Sequence, residues 1–376
     1  MDSYRRRFGR AVGAFAATLI AAPSLAQTNA AGRVDSQVRV RNRTLTAGSL
    51  PLVKPRALRQ SDTIGLIAPG GIVDDALLEK SVKNVESIGF RAKLGNNIRT
   101  AHGGYAGTVM QRLDDVHGMF LDPDVKAIWC VRGGSGCTAL LPHIDYALVR
   151  KHPKIFIGYS DITALHLAFL RKAGLVTFHG PLAGYGLSDY SATQLLGVLM
   201  SPRPATEIQM SVENAKRAGE RPEFAMQVFK HGVAEGRLVG GALSLVNALI
   251  GTPYAVDIRK SLLFLEDWDE APYRIDRMLT QLQQSVGGMG EPDGFRHAAG
   301  VMLGVFTRIR MQEGDTSKTL TLAEVIDSQL SGLPIPAVYG YSFGHIPQQF
   351  TLPMGIRARL NTEEQTLTLL EPAVLA

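Results

Sequence analysis

The chain has 376 residues, 45% hydrophobic and 20% charged, enough to bury the core of one large domain or two ordinary ones, which excludes a wholly disordered or fibrous protein. Its formal charge is +6, from 40 Lys and Arg against 34 Asp and Glu, but four arginines and one aspartate fall within residues 1–26, and the remaining excess of +3 is too small and dispersed for a nucleic-acid surface. Two cysteines exclude a disulfide framework and a four-thiolate zinc site.

The chain opens with a basic cluster containing Arg5, Arg6, Arg7 and Arg10, an apolar stretch from Ala11 to Ala22, and Ser24-Leu25-Ala26. That order reads as an export signal cleaved before Gln27. Phe8 and Arg10 after the arginines fit the twin-arginine pattern, which implies export of a folded protein; an ordinary signal, its arginines supplying only positive charge, fits as well. Either route leads out of the cytoplasm, and the expected location is periplasmic. No later apolar run approaches the roughly 20 residues of a transmembrane helix, so no integral membrane segment is expected in the mature chain. Residues 27 to about 60, rich in Ala, Thr, Arg and Asn without a sustained period, read as a poorly ordered leader.

From there strands and helices alternate, which implies a parallel sheet. Thr63–Ala68 is a short apolar strand ending at Pro69-Gly70-Gly71, and Leu78, Val82 and Val85 recur at helical spacing until Gly89. Val125–Val131 is a second strand, broken by Arg132-Gly133-Gly134-Ser135-Gly136. Lys154–Tyr159 is a third and runs straight into a helix over Asp161–Lys172. Apolar anchors thin out from Ser188 to about Gly232, where an interdomain connection is expected. The second half offers a strand at Ser261–Leu265, a helix at Tyr273–Val286, a strand at Gly300–Phe306, and two strand-like runs flanking the polar turn Asn361–Glu364.

Four places carry candidate chemistry. Ser160 lies between an apolar strand and a helix, with Gly158 two residues earlier. This is the setting of a nucleophile elbow, although the glycine two residues after the serine is missing; a simple helix cap by Ser160 is the competing reading. The glycine loop at 132–136 exposes backbone N–H groups to an anion or oxyanion, but lacks both the phosphate-loop lysine and the dinucleotide glycine spacing. Glu266, Asp267, Asp269 and Glu270 crowd a strand end, suited to a metal, a histidine or a helix cap; the nine histidines are too scattered to favour metal. His345 lies in a loop between Gly344 and Pro347, while His166 and His179 are rival bases nearer Ser160, the former on an apolar helix.

The ordered set of motifs resembles the serine-type LD-carboxypeptidase family, the muramoyltetrapeptide carboxypeptidases and their microcin C immunity relatives. It comprises Ile67-Ala68-Pro69, Ala106-Gly107-Thr108, Arg132-Gly133-Gly134, Gly158–Asp161, Phe178-His179-Gly180-Pro181, Gly240-Gly241 with Leu245, Leu265-Glu266-Asp267, Tyr273–Arg277, and Gly344-His345 with Leu352–Gly355. It spans roughly Asp62 to Pro372. The resemblance implies Ser160 as nucleophile, Glu266 as orienting carboxylate and His345 as base, and replaces the capping reading of Ser160. Oxyanion donors are then expected at the N–H groups of Asp161 and Gly134, with Arg132, Gly133 and Ser135 contacting substrate.

The implied fold is α/β. A Rossmann-like parallel-sheet domain carrying the nucleophile is expected over 61–200, a connection over 201–232, and a mixed α/β domain with barrel-like strands, carrying Glu266 and His345, over 233–376. The implied activity is removal of the terminal D-alanine from a murein tetrapeptide by a homodimer without metal or other cofactor. Hydrolysis of a peptidyl-nucleotide antibiotic and non-enzymatic muropeptide binding are the alternatives. Two departures touch the expected cleft, because the family loop commonly reads Arg-Gly-Gly-Tyr-Gly with an arginine further along, where this chain has Ser135 and Ala139.

Overall fold

The computed structural model describes residues 50–203, 206–286, 294–309 and 319–376. The expected signal at 1–26 and residues 27–49 of the expected leader lie outside the described residues. In the first half, β1 (Thr63–Ile67), β2 (Arg91–Leu94), β3 (Val125–Cys130), β4 (Ile155–Gly158) and β5 (Phe178–His179) pair in parallel. In the second half come β6 (Thr206–Ile208), β7 (Gln227–Lys230), β8 (Val233–Ala242), β9 (Ser261–Glu266), β10 (Gly300–Gly304), β11 (Ala337–Tyr341), β12 (Leu352–Pro353), β13 (Arg357–Asn361) and β14 (Thr366–Leu369). They build an α/β protein of two sheets, one of six strands in the order β12-β5-β4-β3-β1-β2 and one curled mixed sheet in the order β6-β14-β13-β8-β9-β10-β11-β7.

The first sheet follows from its sequence. A parallel strand covered on both faces needs apolar residues at every position, and all four residues of β4 are buried, as are all of β3 except Lys126. The flanking helices carry their own start signals: Asp74 accepts from the N–H of Leu77, and Thr108 with Gln111 forms a capping box. Phe156 of β4 packs edge-on against Phe169 of helix Thr163–Ala173 at 5.1 Å and stacks with Phe120 of helix Val109–Leu121 at 6.3 Å. Truncating Phe156 to alanine should therefore cost about 3–5 kcal/mol in denaturant unfolding. A loss below about 1 kcal/mol would show that this cluster is not a core.

Three features depart from the chain-order reading. Residues 50–60 are docked rather than loose: Val53 pairs with Leu175, and the N–H of Ala57 donates to Leu375 O at 2.7 Å. The stretch at 201–232 is more than a connection, because β6 and β7 within it are the two edge strands of the second sheet. Their weak apolar signal has a physical cause, since an edge strand is partly solvated. Finally β12, from the end of the chain, crosses to the first sheet and pairs antiparallel with β5, Leu352 opposite His179.

Where the sheets meet, Thr163 is the joint. Its Oγ1 accepts the N–H of Ala242 at 3.0 Å, and Ala242 stands opposite Glu266 in the β8–β9 register. The end of β4 and the end of β9 are thereby brought side by side.

Candidate active site

Ser160 follows β4 with a φ of +65°. That left-handed conformation costs a side-chain-bearing residue of order 1–3 kcal/mol. The hydroxyl does not explain it as a cap: neither the 3₁₀ turn Ser160–Ile162 nor the helix Thr163–Ala173 has a side-chain cap hydrogen bond. The tight turn presents the serine at the strand end, the geometry of an elbow.

His345 and Glu266 come together from the second sheet. His345 Nδ1 lies 2.8 Å from Glu266 Oε2, and Glu266 is fully buried at the end of β9. Gly344, with φ +109°, permits this approach, because a Cβ there would lie 3.0 Å from both Cβ and Oε2 of Glu266. Burial alone would push the Glu266 carboxyl up; the charge and hydrogen bond of His345, with His179 adding to them, hold it below the ordinary carboxylate range. The imidazole is fixed on two more sides. Tyr159, the neighbour of Ser160, packs edge-on at 4.7 Å, and Trp268 stacks at 5.7 Å with the rings 17° apart. With Nδ1 held by the carboxylate, Nε2 is the nitrogen left to take a proton.

The glycine loop closes against the serine. A Cβ on Gly133 would lie 3.0 Å from Ser160 Oγ and 3.2 Å from Asp161 N, so only glycine fits there. Gly133 O accepts from Gly71 N at 2.8 Å. Because that peptide is trans, the N–H of exposed Gly134 points away from Gly71. Arg132 donates from Nη1 to Ile72 O at 2.8 Å, which ties the 70–72 turn to the loop, while Ser135 and Ala139 are exposed. An aromatic nonetheless lies on the loop, supplied from elsewhere: a Cβ on Gly136 would be 2.6 Å from Tyr105 Cδ1.

Arg112, which shapes the site, carried no sequence signal, and Asp161 takes a second role there. Arg112 is buried and donates through Nη1 to Pro69 O at 2.7 Å and Gly136 O at 3.0 Å, pinning both loops, with its guanidinium 5.1 Å from the Tyr105 ring centroid. Asp161 Oδ2 accepts the N–H of Cys137 at 3.0 Å, so the residue after the serine also holds the far end of the glycine loop. Burial raises the Asp161 carboxyl, and the bonds from Cys137 with the charge of Arg112 oppose that rise. An arginine inside a helical pattern reads as surface, and only the fold places Arg112 beneath two loops.

The other candidates separate. His166 is buried, with Nδ1 2.9 Å from Thr177 Oγ1 and Nε2 2.8 Å from Gly158 O, and burial pushes it down to about 3. His179 is buried beside Glu266 and pushed down by burial to about 4. Asp267 accepts from Ser244 N at 2.6 Å and Trp268 N at 2.9 Å; burial and the adjacent Glu266 push it up to about 7 against those bonds. Glu270 pairs with Arg274 at 3.6 Å. Glu266, Asp267 and Glu270 thus each have a different bonding partner. Cys130 and Cys137 are both free and buried, their thiols raised by burial.

Comparison with known proteins agrees with this layout. Residues 64–180 match the LD-carboxypeptidase N-terminal domain and residues 235–360 the LD-carboxypeptidase C-terminal domain. A Bacillus subtilis protein named "Probable murein peptide carboxypeptidase" is 38% identical over 315 residues, 83% of this chain and 93% of that protein. The murein tetrapeptide carboxypeptidase of Pseudomonas aeruginosa is 34% identical over 305 residues, 79% of this chain and 92% of its own length. A solved muramoyltetrapeptide carboxypeptidase from Oxalobacter formigenes is 30% identical, covers 82% of this chain and 97% of its own, and superposes with a TM-score of 0.68. The two matched domains, one enclosing Ser160 and the other enclosing Glu266 and His345, establish that this chain belongs to the LD-carboxypeptidase family and is a hydrolase.

Proposed function

We propose that the chain is a serine LD-carboxypeptidase that releases the terminal D-alanine of murein tetrapeptides through an acyl-enzyme. The observation that carries this reading is the His345 Nδ1–Glu266 Oε2 bond of 2.8 Å, set beside a serine in a left-handed elbow whose neighbour Tyr159 packs on the same imidazole. A serine hydroxyl is a weak nucleophile at neutral pH until a base removes its proton, and a carboxylate behind the base stabilises the imidazolium that results.

The steps follow from those properties. Ser160 Oγ attacks the carbonyl carbon at the L-centre of diaminopimelate while Nε2 of His345 takes its proton. The N–H groups of Asp161 and Gly134 receive the oxyanion. Collapse breaks the C–N bond, His345 returns the proton to the amine, and D-alanine leaves. A water then attacks the ester, its proton passing to His345 and on to Ser160, and the tripeptide carboxylate departs. With the amino-terminal stretch acting as an export signal, the substrate is met in the periplasm, as sacculus or released turnover fragments.

Incubation of the protein with purified tetrapeptide should give tripeptide and free D-alanine by mass spectrometry. Intact tetrapeptide alongside hydrolysis of a peptidyl-nucleotide analogue would overturn the substrate assignment.

A further inference from the structure

His179 occupies a position that the proposed steps do not use. It ends β5, is fully buried, and its ring meets those of Phe264 at 5.3 Å, Tyr159 at 5.9 Å and Phe343 at 6.4 Å. Neither of its ring nitrogens has a hydrogen-bond partner, and Oε1 of Glu266 is equally buried and unpartnered. A buried polar atom left unpaired costs about 1–3 kcal/mol, so such atoms are normally matched by protein or by an ordered water.

Strand geometry brings these groups together. Alternate residues of a strand share a face, so Glu266 projects from β9 on the same side as Phe264, whose ring touches His179. On the other flank, Phe343 lies two residues before His345. The imidazole of His179 is thus enclosed by the neighbours of the Glu266–His345 pair.

We propose that His179 is a positioning residue for Glu266, its ring nitrogen and Oε1 sharing one buried water so that the carboxylate is anchored at one oxygen and orients His345 with the other. Two such polar partners meet the minimum that a buried water requires. The titratable groups facing His179 are Tyr159 after β4, His166 on helix Thr163–Ala173, Glu266 on β9 and His345 after β11. Burial keeps His179 neutral at neutral pH, so it carries one N–H donor without adding a positive charge beside the imidazolium. Losing the anchor frees the carboxylate to rotate. That harms the proton transfer and leaves substrate binding untouched.

This inference rests on the proposed roles of Glu266 and His345, and the test separates the two. Full-chain His179→Phe, His179→Asn, His179→Gln and Glu266→Ala are compared with wild type by steady-state kinetics on tetrapeptide across pH, with thermal unfolding as the check on folding. His179→Phe should lower kcat about tenfold at unchanged KM. It should also move the acid limb of kcat/KM to lower pH, because a carboxylate free to rotate stabilises the imidazolium less. His179→Asn, which stays polar but is too short to hold the water, should do the same should the phenylalanine variant fail to fold; His179→Gln should recover most of kcat. Wild-type kcat and an unmoved acid limb in folded His179→Phe or His179→Asn, with Glu266→Ala inactive, would overturn the inference alone. Full activity in Glu266→Ala would overturn the catalytic reading beneath it.

Discussion

Alanine in place of Ser160, His345 or Glu266 is expected to lower kcat by a factor of about 10⁴ or more for the serine and histidine, and somewhat less for the glutamate. The reasons differ by residue. On the proposed mechanism, without Ser160 there is no atom to form the ester; without His345 no base lies behind it; without Glu266 the imidazole loses the 2.8 Å bond that sets its tautomer. The losses should be non-additive, since a triad with one member missing gains little from the other two. None of the three should unfold the protein. Ser160→Ala removes only a hydroxyl that caps neither the turn nor the helix, and Glu266→Ala removes a buried carboxylate. Steady-state kinetics on tetrapeptide with thermal unfolding of the same samples decides the matter, and wild-type turnover in Ser160→Ala would refute the nucleophile.

Gly133→Ala should also be damaging, although it replaces no side chain of the proposed triad. The added methyl would stand 2.9 Å from Ser160 Cβ, 3.0 Å from Oγ and 3.2 Å from Asp161 N. Neither Ser160 Cβ nor Asp161 N can retreat as the tip of a flexible side chain would. Backbone strain is not the cause, because Gly133 is absent from the positive-φ residues. The loop must therefore move off the serine or the serine off its loop. A displacement near 1 Å in such a site costs about 10²-fold in rate, and kcat/KM for tetrapeptide should fall by at least that much with little change in thermal stability. Turnover within a few-fold of wild type would show that the loop can shift without disturbing the reaction.

Much of the fold was legible because buried parallel strands announce themselves. The apolar runs at Thr63, Val125, Lys154, Ser261 and Gly300 each hold a strand, and the polar turn at 361–364 joins β13 to β14. Local residues specify these elements: a strand covered on both faces needs apolar side chains throughout, and a helix start needs a cap such as Asp74 or Thr108. Ser160, Glu266 and His345 could be named as candidates too, but only through the order of their motifs, since capping and an elbow look alike in spacing.

The tertiary structure decided whatever depends on partners remote in the chain. Periodicity reports how much of a segment is buried and says nothing about which distant segment buries it. Hence the crossing of β12 to β5, the edge positions of β6 and β7, and the docking of residues 50–60 had no local signature. The same holds for chemistry. An arginine in a helix reads as solvated until two loop carbonyls, Pro69 O and Gly136 O, are found on its guanidinium. His179 and Glu266 sit in different sheets, and their unpaired atoms become a related pair only when Phe264 brings β9 against β5. The sequence by itself determined the buried parallel strands and the helix starts, because those rest on neighbours along the chain, and it marked the candidate reactive side chains. Burial, pairing and electrostatic environment arise between segments far apart in sequence, and only the folded chain sets them.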